Sequence, residues 1–232
     1  MDEIQQRWLC ALSAPMVALN PRAEYDEPAF YCAPEFIDLQ CSWGINDRPQ
    51  LLSMFERMTD NGHARHLKGA YHAWQRCLPG EWQALLETLG PRERILHEFA
   101  SRTFGECGPG GILSWDYGRM GFLLRCAVRN QWIDLPESTW LHGRLAVRAQ
   151  YHYSSWQSYF NGFLMGRGFW GCENEGNDTF ACELDRQGEN PKSVQIARGL
   201  QQNMPVFLKN LPWHLDLDLP QRPESLKEFD WS

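Results

Sequence analysis

The stretch Ser114-Trp115-Asp116-Tyr117-Gly118-Arg119 opens the densest pattern in the chain, which continues through Ser155-Trp156-Gln157-Ser158-Tyr159-Phe160 to Gly166-Arg167-Gly168-Phe169-Trp170. Trp115, Arg119, Phe122, Leu123 and Cys126 recur at helical spacing, so they share one face and Arg119 points inward. Asp116 falls in the first turn, where a carboxylate suits the helix dipole, and Ser114 is the expected cap. Ser154 and Gln157 fit a capping box for a later helix that carries Trp156, Tyr159, Phe160 and Phe163. Gly166 is expected to end that helix, leaving Arg167 just past its C-terminus, where a cation is favoured. Three tryptophans interleaved with one carboxylate and two guanidiniums predict a polar cluster inside an aromatic core, made of Trp115, Asp116, Arg119, Ser155, Trp156, Arg167 and Trp170.

Upstream, helical spacing repeats. Ile4, Trp8 and Leu12 form one stripe, which must stop before Pro15. Met16 to Gly44 is irregular and proline-broken, an expected wrapping segment with a short helix around Pro34 to Gln40. Asn46 or Asp47 then caps a helix carrying Leu51, Leu52, Phe55 and Met58, with Pro49 in its first turn and Asn61-Gly62 as its stop. Leu67, Tyr71, Trp74 and Leu78 predict the next helix. Trp82, Leu85, Leu86 and Leu89 predict a third, closed by Gly90, and Pro91 starts a fourth with Ile95, Leu96 and Phe99 inward. Gly105 to Gly111 reads as a flexible hinge; it lacks the lysine ending of a phosphate-cradling loop and follows a helix rather than a strand.

Between the two central helices, Asp134 and Glu137 predict a cap for a helix with Trp140 and Val147 inward and Arg144 between them. After Trp170, Glu173 to Asp178 reads as an acidic loop, Lys192 to Gln202 as a helix, and Leu211 to Leu219 as an extended segment with one apolar face. The predicted fold is therefore all-α: one domain, a multi-helix bundle or orthogonal stack. Residues 1–44 are its N-terminal helix and wrapping segment, 45–170 its helical core, and 171–232 an acidic C-terminal extension packed on that core.

Composition narrows the function. A chain of 232 residues can bury one large core, and 43% hydrophobic content with eleven tryptophans is too apolar for a disordered chain. Met1-Asp2-Glu3 is acidic where a signal peptide is basic, and no apolar run is long enough to span a bilayer, so a cytoplasmic location is expected. The eight cysteines contain no C-x-x-C and read as reduced, mostly buried thiols. The net charge of −7 divides into −6 over residues 1–62, +4 over 63–170 and −5 over 171–232. That acidity, with no recognition motif, argues against nucleic acid.

His63, His66, His72 and His97 lack an H-E-x-x-H or comparable spacing, so no metal and no cofactor are expected. Ser154 and Ser155 lack a nucleophile-elbow motif. Asp116 and Arg119, at i and i+3, read first as a structural ion pair that docks one helix on the next with Arg167. The alternative makes Arg119 and Arg167 an anion clamp and Asp116 a base.

Trp115-Asp116-x-x-Arg119, Ser155-Trp156-x-x-Tyr159-Phe160 and Gly166-Arg167-x-x-Trp170 together resemble the bacterial domain-of-unknown-function family 1266. The resemblance runs from about Trp43-Gly44-Ile45 and Gly62-His63 to Trp170, somewhat more than half of the chain. Some enterobacterial members are encoded beside Hsp70-type and J-domain chaperones, so the resemblance implies a protein partner, such as a chaperone system. The first functional expectation is accordingly a non-enzymatic protein-interaction module. The alternative is an enzyme or small-anion binder at Asp116, Arg119 and Arg167, and a third is a component of a toxin or immunity system.

Overall fold

Helix α8, Leu113–Arg129, is the axle of the computed structural model, which describes residues 2–229 and Trp231, except the side chains of Asn177, Asp178 and Cys182. It is buried on every side because its neighbours wrap it: α4 (Arg48–Asn61), α9 (Leu135–His152), α10 (Trp156–Cys172) and the short α2 (Ala14–Val17) all pack on it. Around this centre stand α1 (Glu3–Ala11), α3 (Gln40–Trp43), α5 (Arg65–Arg76), α6 (Pro79–Thr88), α7 (Pro91–Cys107), α11 (Asn177–Arg186) and α12 (Pro191–Phe207). The fold is all-α, and the described residues contain no strand.

Two apolar clusters fill the interior. The larger joins α1, α2, α4, α8, α9, α10 and α12 with Leu211, Trp213, Leu226 and Trp231 of the tail. The smaller lies between α5, α7, α11 and the last turns of α10, around Tyr71, Phe99, Phe169 and Phe180. At the crossing of α8 and α10, Gly166 lies against Trp115, where an added Cβ would stand 2.4 Å from the Trp115 Cβ. Gly166 is therefore a packing contact in mid-helix, and α10 runs on to Cys172 rather than ending there. Arg167 is consequently a helical residue and does not sit at a helix terminus.

Other local expectations shift for stated reasons. Ser155, not Ser154, caps α10, its Oγ accepting from Ser158 N at 3.1 Å. Ser114 lies inside α8, whose cap position is Ile112. The glycine-rich joint is pinned rather than hinged: α7 continues through Gly105, and the buried Tyr153 hydroxyl accepts from Ser114 N and donates to the carbonyl of Gly111. Leu78, expected in the core, is 68% exposed because α5 ends at Arg76 and the chain leaves helical register at Cys77. Val147 and Ile4 also face outward, since Leu141, Leu145 and Ala149 set the inner face of α9 and α1 buries only its second half. The short helix expected at 34–40 lies instead at Gln40–Trp43, and a helix, α11, begins within the expected acidic loop. Four of the described cysteines are buried, while Cys32 and Cys41 are exposed; Cys182 lies outside the described side chains.

The irregular N-terminal segment is held by side chains of α8. Arg125 is fully buried and donates to the carbonyls of Glu24 and Glu27 and to Ser13 Oγ at 2.8 Å. Arg129 reaches the carbonyls of Ala29 and Tyr31, and Asn130 pairs with both backbone groups of Ile37 at 2.8 Å. A segment without regular structure must find partners for its own carbonyls, and here guanidiniums supply them. At the other end, Gln150 Nε2 donates to the carbonyls of Trp213 and Leu215 at 2.9 Å, laying the alternating Leu-Asp segment along α9 in an extended form without a ladder.

Candidate functional site

The first turn of α8 reaches the turn between α4 and α5. The helix α5 has no capping side chain of its own at Ala64, and Asp116 supplies one from outside. Its two carboxylate oxygens accept from Ala64 N at 2.9 Å and His63 N at 3.2 Å. Such a cap contributes about 0.5–2 kcal/mol, and the positive end of the α5 dipole adds to it. Gly62 makes the approach feasible: a Cβ there would lie 2.3 Å from Asp116 Cγ. Burial pushes the Asp116 pKa up, while the Ala64 amide, Arg119 and His63 pull it back.

Arg119 stands one turn further along. Its Nη1 is 3.8 Å from Asp116 Oδ1, a charge contact too long for a hydrogen bond. The guanidinium is instead sandwiched between indoles, 4.9 Å from the Trp43 centroid and 4.7 Å from that of Trp115. Desolvation lowers its pKa to about 10, with Asp116 and Glu173 opposing that shift, so it stays cationic at neutral pH. Trp115 in turn packs against Phe163 at 5.0 Å and Trp170 at 5.6 Å. The result is a continuous stack, Trp43–Arg119–Trp115–Trp170, buried at Trp115, partly buried at Trp43 and Arg119, and most open at Trp170, which is 45% exposed. Cation–π contacts of this desolvated kind are worth about 2 kcal/mol.

Beside the stack, His63 Nδ1 lies 3.0 Å from Glu173 Oε2, tying the start of α5 to the end of α10. Arg92 of α7 holds the same corner by donating to the carbonyls of Glu173 and Glu175 and lying 3.3 Å from the Phe180 centroid. Trp115 Nε1 and Arg119 Nη1 are both buried donors without a hydrogen-bond partner.

Of the residues singled out in the sequence, Trp115, Asp116, Arg119 and Trp170 come together here. Arg167 does not join them. It is buried against α12, with Nη1 donating to Ser193 Oγ at 3.3 Å, and among the described residues no carboxylate lies within 4.0 Å of it. Its pKa is lowered by burial alone. Ser155 caps α10 as described, and Trp156 packs between Trp8 at 5.0 Å and Trp213 at 4.7 Å, its Nε1 donating to the Leu211 carbonyl. The expected meeting of one carboxylate with two guanidiniums is therefore a pair, not a triad, because continuation of α10 through Gly166 turns Arg167 toward α12.

Trp43, His63 and Glu173 complete the site, and no periodicity marks them: each sits at or beyond the end of a helix. Arg125, the most deeply buried cation, is spaced six residues from Arg119 on the same helix, and only its place in a run of apolar residues hinted at burial. Chemically, both oxygens of Asp116 are occupied by amide protons, whereas the face around Trp170 combines an open indole, a cation behind it and a nearby imidazole–carboxylate pair.

The model of a family described as a protein of unknown function, DUF1266, matches residues 38–213, a longer span than the motifs alone suggested. The chain is 37% identical over 231 residues to the uncharacterized protein YbeU of Escherichia coli (strain K12), covering 98% of both chains. It is 44% identical over 172 residues to the uncharacterized protein YbeR of the same organism, covering 73% of both. No solved structure matches. The chain therefore belongs to the DUF1266 family.

Proposed function

We propose that this chain is a non-enzymatic protein-interaction module that works in the cytoplasm and docks a protein partner through the Trp43–Arg119–Trp115–Trp170 stack. The observation that carries this reading is Trp170, 45% exposed at the open end of a stack whose other members are buried or partly buried. Tryptophan and arginine are enriched among the few residues that dominate the energetics of protein interfaces. Locking Arg119 between two indoles gives the surface a fixed shape before a partner arrives, which lowers the ordering cost of binding. The seven described cysteines are free thiols, in keeping with a reducing compartment.

Chaperones of the Hsp70 and J-domain type are the partners to test first. Purified Hsp70 and J-domain proteins should bind the wild-type chain, and Trp170→Ala should weaken that binding by tenfold or more, about 1.4 kcal/mol, without lowering Tm. Equal binding by the two chains would remove Trp170 from the interface.

A second reading, a small-anion site, rests on the two unpartnered donors, Trp115 Nε1 and Arg119 Nη1. Thermal-shift screening against phosphorylated metabolites tests it, because a ligand that binds only the folded chain raises Tm.

A further inference from the structure

The segment from Asn61 to Gly80 contains no aspartate or glutamate, although the chain as a whole carries a charge of −7. Most of that segment is α5, whose inner face, Leu67, Ala70 and Tyr71, is buried. Its outer face holds Arg65, His66, Lys68, His72 and Arg76, all exposed. Among the described residues, no carboxylate comes within 4.0 Å of Arg65, Lys68 or Arg76, while most other surface helices here carry cations paired in place, such as Arg94–Glu98 and Arg102–Asp185. Arg76 has its Nη1 3.4 Å from Nε2 of His72 on its own helix.

In the middle of this face sits Gly69. A Cβ added there would meet nothing within 4 Å, so neither packing nor backbone conformation requires a glycine. Glycine in a helix interior is destabilising relative to alanine, so the sequence carries a cost at Gly69 that the folded chain does not recover. With Ala73 one turn on, Gly69 leaves a shallow trough beside the row of Lys68, His72 and Arg76, with Arg65 at its head. At its C-terminal end stands Leu78, 68% exposed.

We infer that the outer face of α5 is a docking site for an acidic α-helix of a partner protein, whose backbone lies close over Gly69 and Ala73 while its carboxylates meet Arg65, Lys68 and Arg76. Glutamates spaced one turn apart on a helix match cations spaced the same way, and small residues let two helices approach closely. Charge complementarity on an acidic molecule favours a short, locally matched partner over a long polyanion, which the rest of the surface would repel. A membrane is a poorer match, because the apolar side of α5 is already spent on the core. This surface is separate from the Trp170 stack and stands or falls independently of it.

The test uses the full chain and a fluorescein-labelled helical peptide of glutamate and alanine, followed by fluorescence anisotropy. A short single-stranded DNA and vesicles of phosphatidylserine in phosphatidylcholine serve as competing probes. The peptide should bind at low salt and weaken as salt rises. The combined variant Arg65→Gln/Lys68→Gln/Arg76→Gln should lose at least tenfold in affinity. Gly69→Gln, which fills the trough and removes the helix-interior glycine, should raise Tm and still weaken the peptide severalfold. Binding unchanged in either variant, or tighter binding of the DNA or the vesicles than of the peptide, would overturn the inference.

Discussion

Asp116 caps a helix to which it does not belong: its Oδ2 accepts the Ala64 amide of α5 at 2.9 Å across 52 residues of sequence. That bond, with the one to His63, makes the central helix the anchor for α5 and, through it, for the smaller apolar cluster. The charge of Asp116 is useful for what it holds in place, and burial opposes that charge at the same time.

Removing the carboxylate should therefore cost stability. Asp116→Ala leaves two amides without their acceptor and the Arg119 cation without its nearest counter-charge, and should destabilise by about 3 kcal/mol in urea unfolding. Gly62→Ala should act through the same contact, since its Cβ would fall 2.3 Å from the Asp116 carboxyl carbon. A loss below about 1 kcal/mol for Asp116→Ala would mean that the cap is dispensable.

Arg125 should matter more to the N-terminal segment than its absence from the ion pairs among the described residues suggests. Arg125→Met roughly keeps the volume but takes the guanidinium away from the Glu24 carbonyl and leaves the Glu27 carbonyl with the Phe30 amide alone, at about 1–3 kcal/mol in total. Limited proteolysis should then cut between Pro21 and Tyr31 before the rest of the chain is touched. Cleavage at the wild-type rate would show that the segment is held by its apolar contacts alone.

His142 predicts acid sensitivity. It is fully buried beside α8, its Nδ1 donating to the Ser138 carbonyl at 2.8 Å, and burial lowers its pKa from 6.5 to about 4. The unfolded imidazole takes up a proton as the pH falls through about 6.5, whereas the folded one waits until about 4. Stability is thus complete above the higher value and declines between the two, by about 3 kcal/mol at most. His142→Gln should flatten the difference between unfolding free energies measured at neutral pH and at the lower end of that window. An equal acid loss in both chains would assign the sensitivity elsewhere.

How much of this was legible in the sequence depends on range. Helices with an apolar stripe and a local cap, such as α4 with Asp47 and α9 with Asp134 and Glu137, follow from neighbours within four residues. The pair Asp116 and Arg119 was visible for the same reason. Arg167 was misplaced because a glycine that ends a helix and a glycine that lets two helices touch look alike until the partner, Trp115, is known. Asp116 as the cap of α5, Glu173 opposite His63, and Arg125 under Glu24 and Glu27 are all contacts between distant segments, and no local pattern encodes them.

The central claim is that the open end of the tryptophan–arginine stack is a contact surface and not an incidental exposure. Trp170→Ala tests it most directly, with binding to a purified Hsp70 or J-domain protein measured by titration calorimetry alongside a thermal melt. The account predicts a Tm within about 2 °C of wild type and an affinity at least tenfold weaker, because a surface indole adds little to the fold but much to an interface. A melting temperature that falls steeply while binding per folded molecule stays the same would contradict it, and would make Trp170 a structural lid over Trp115.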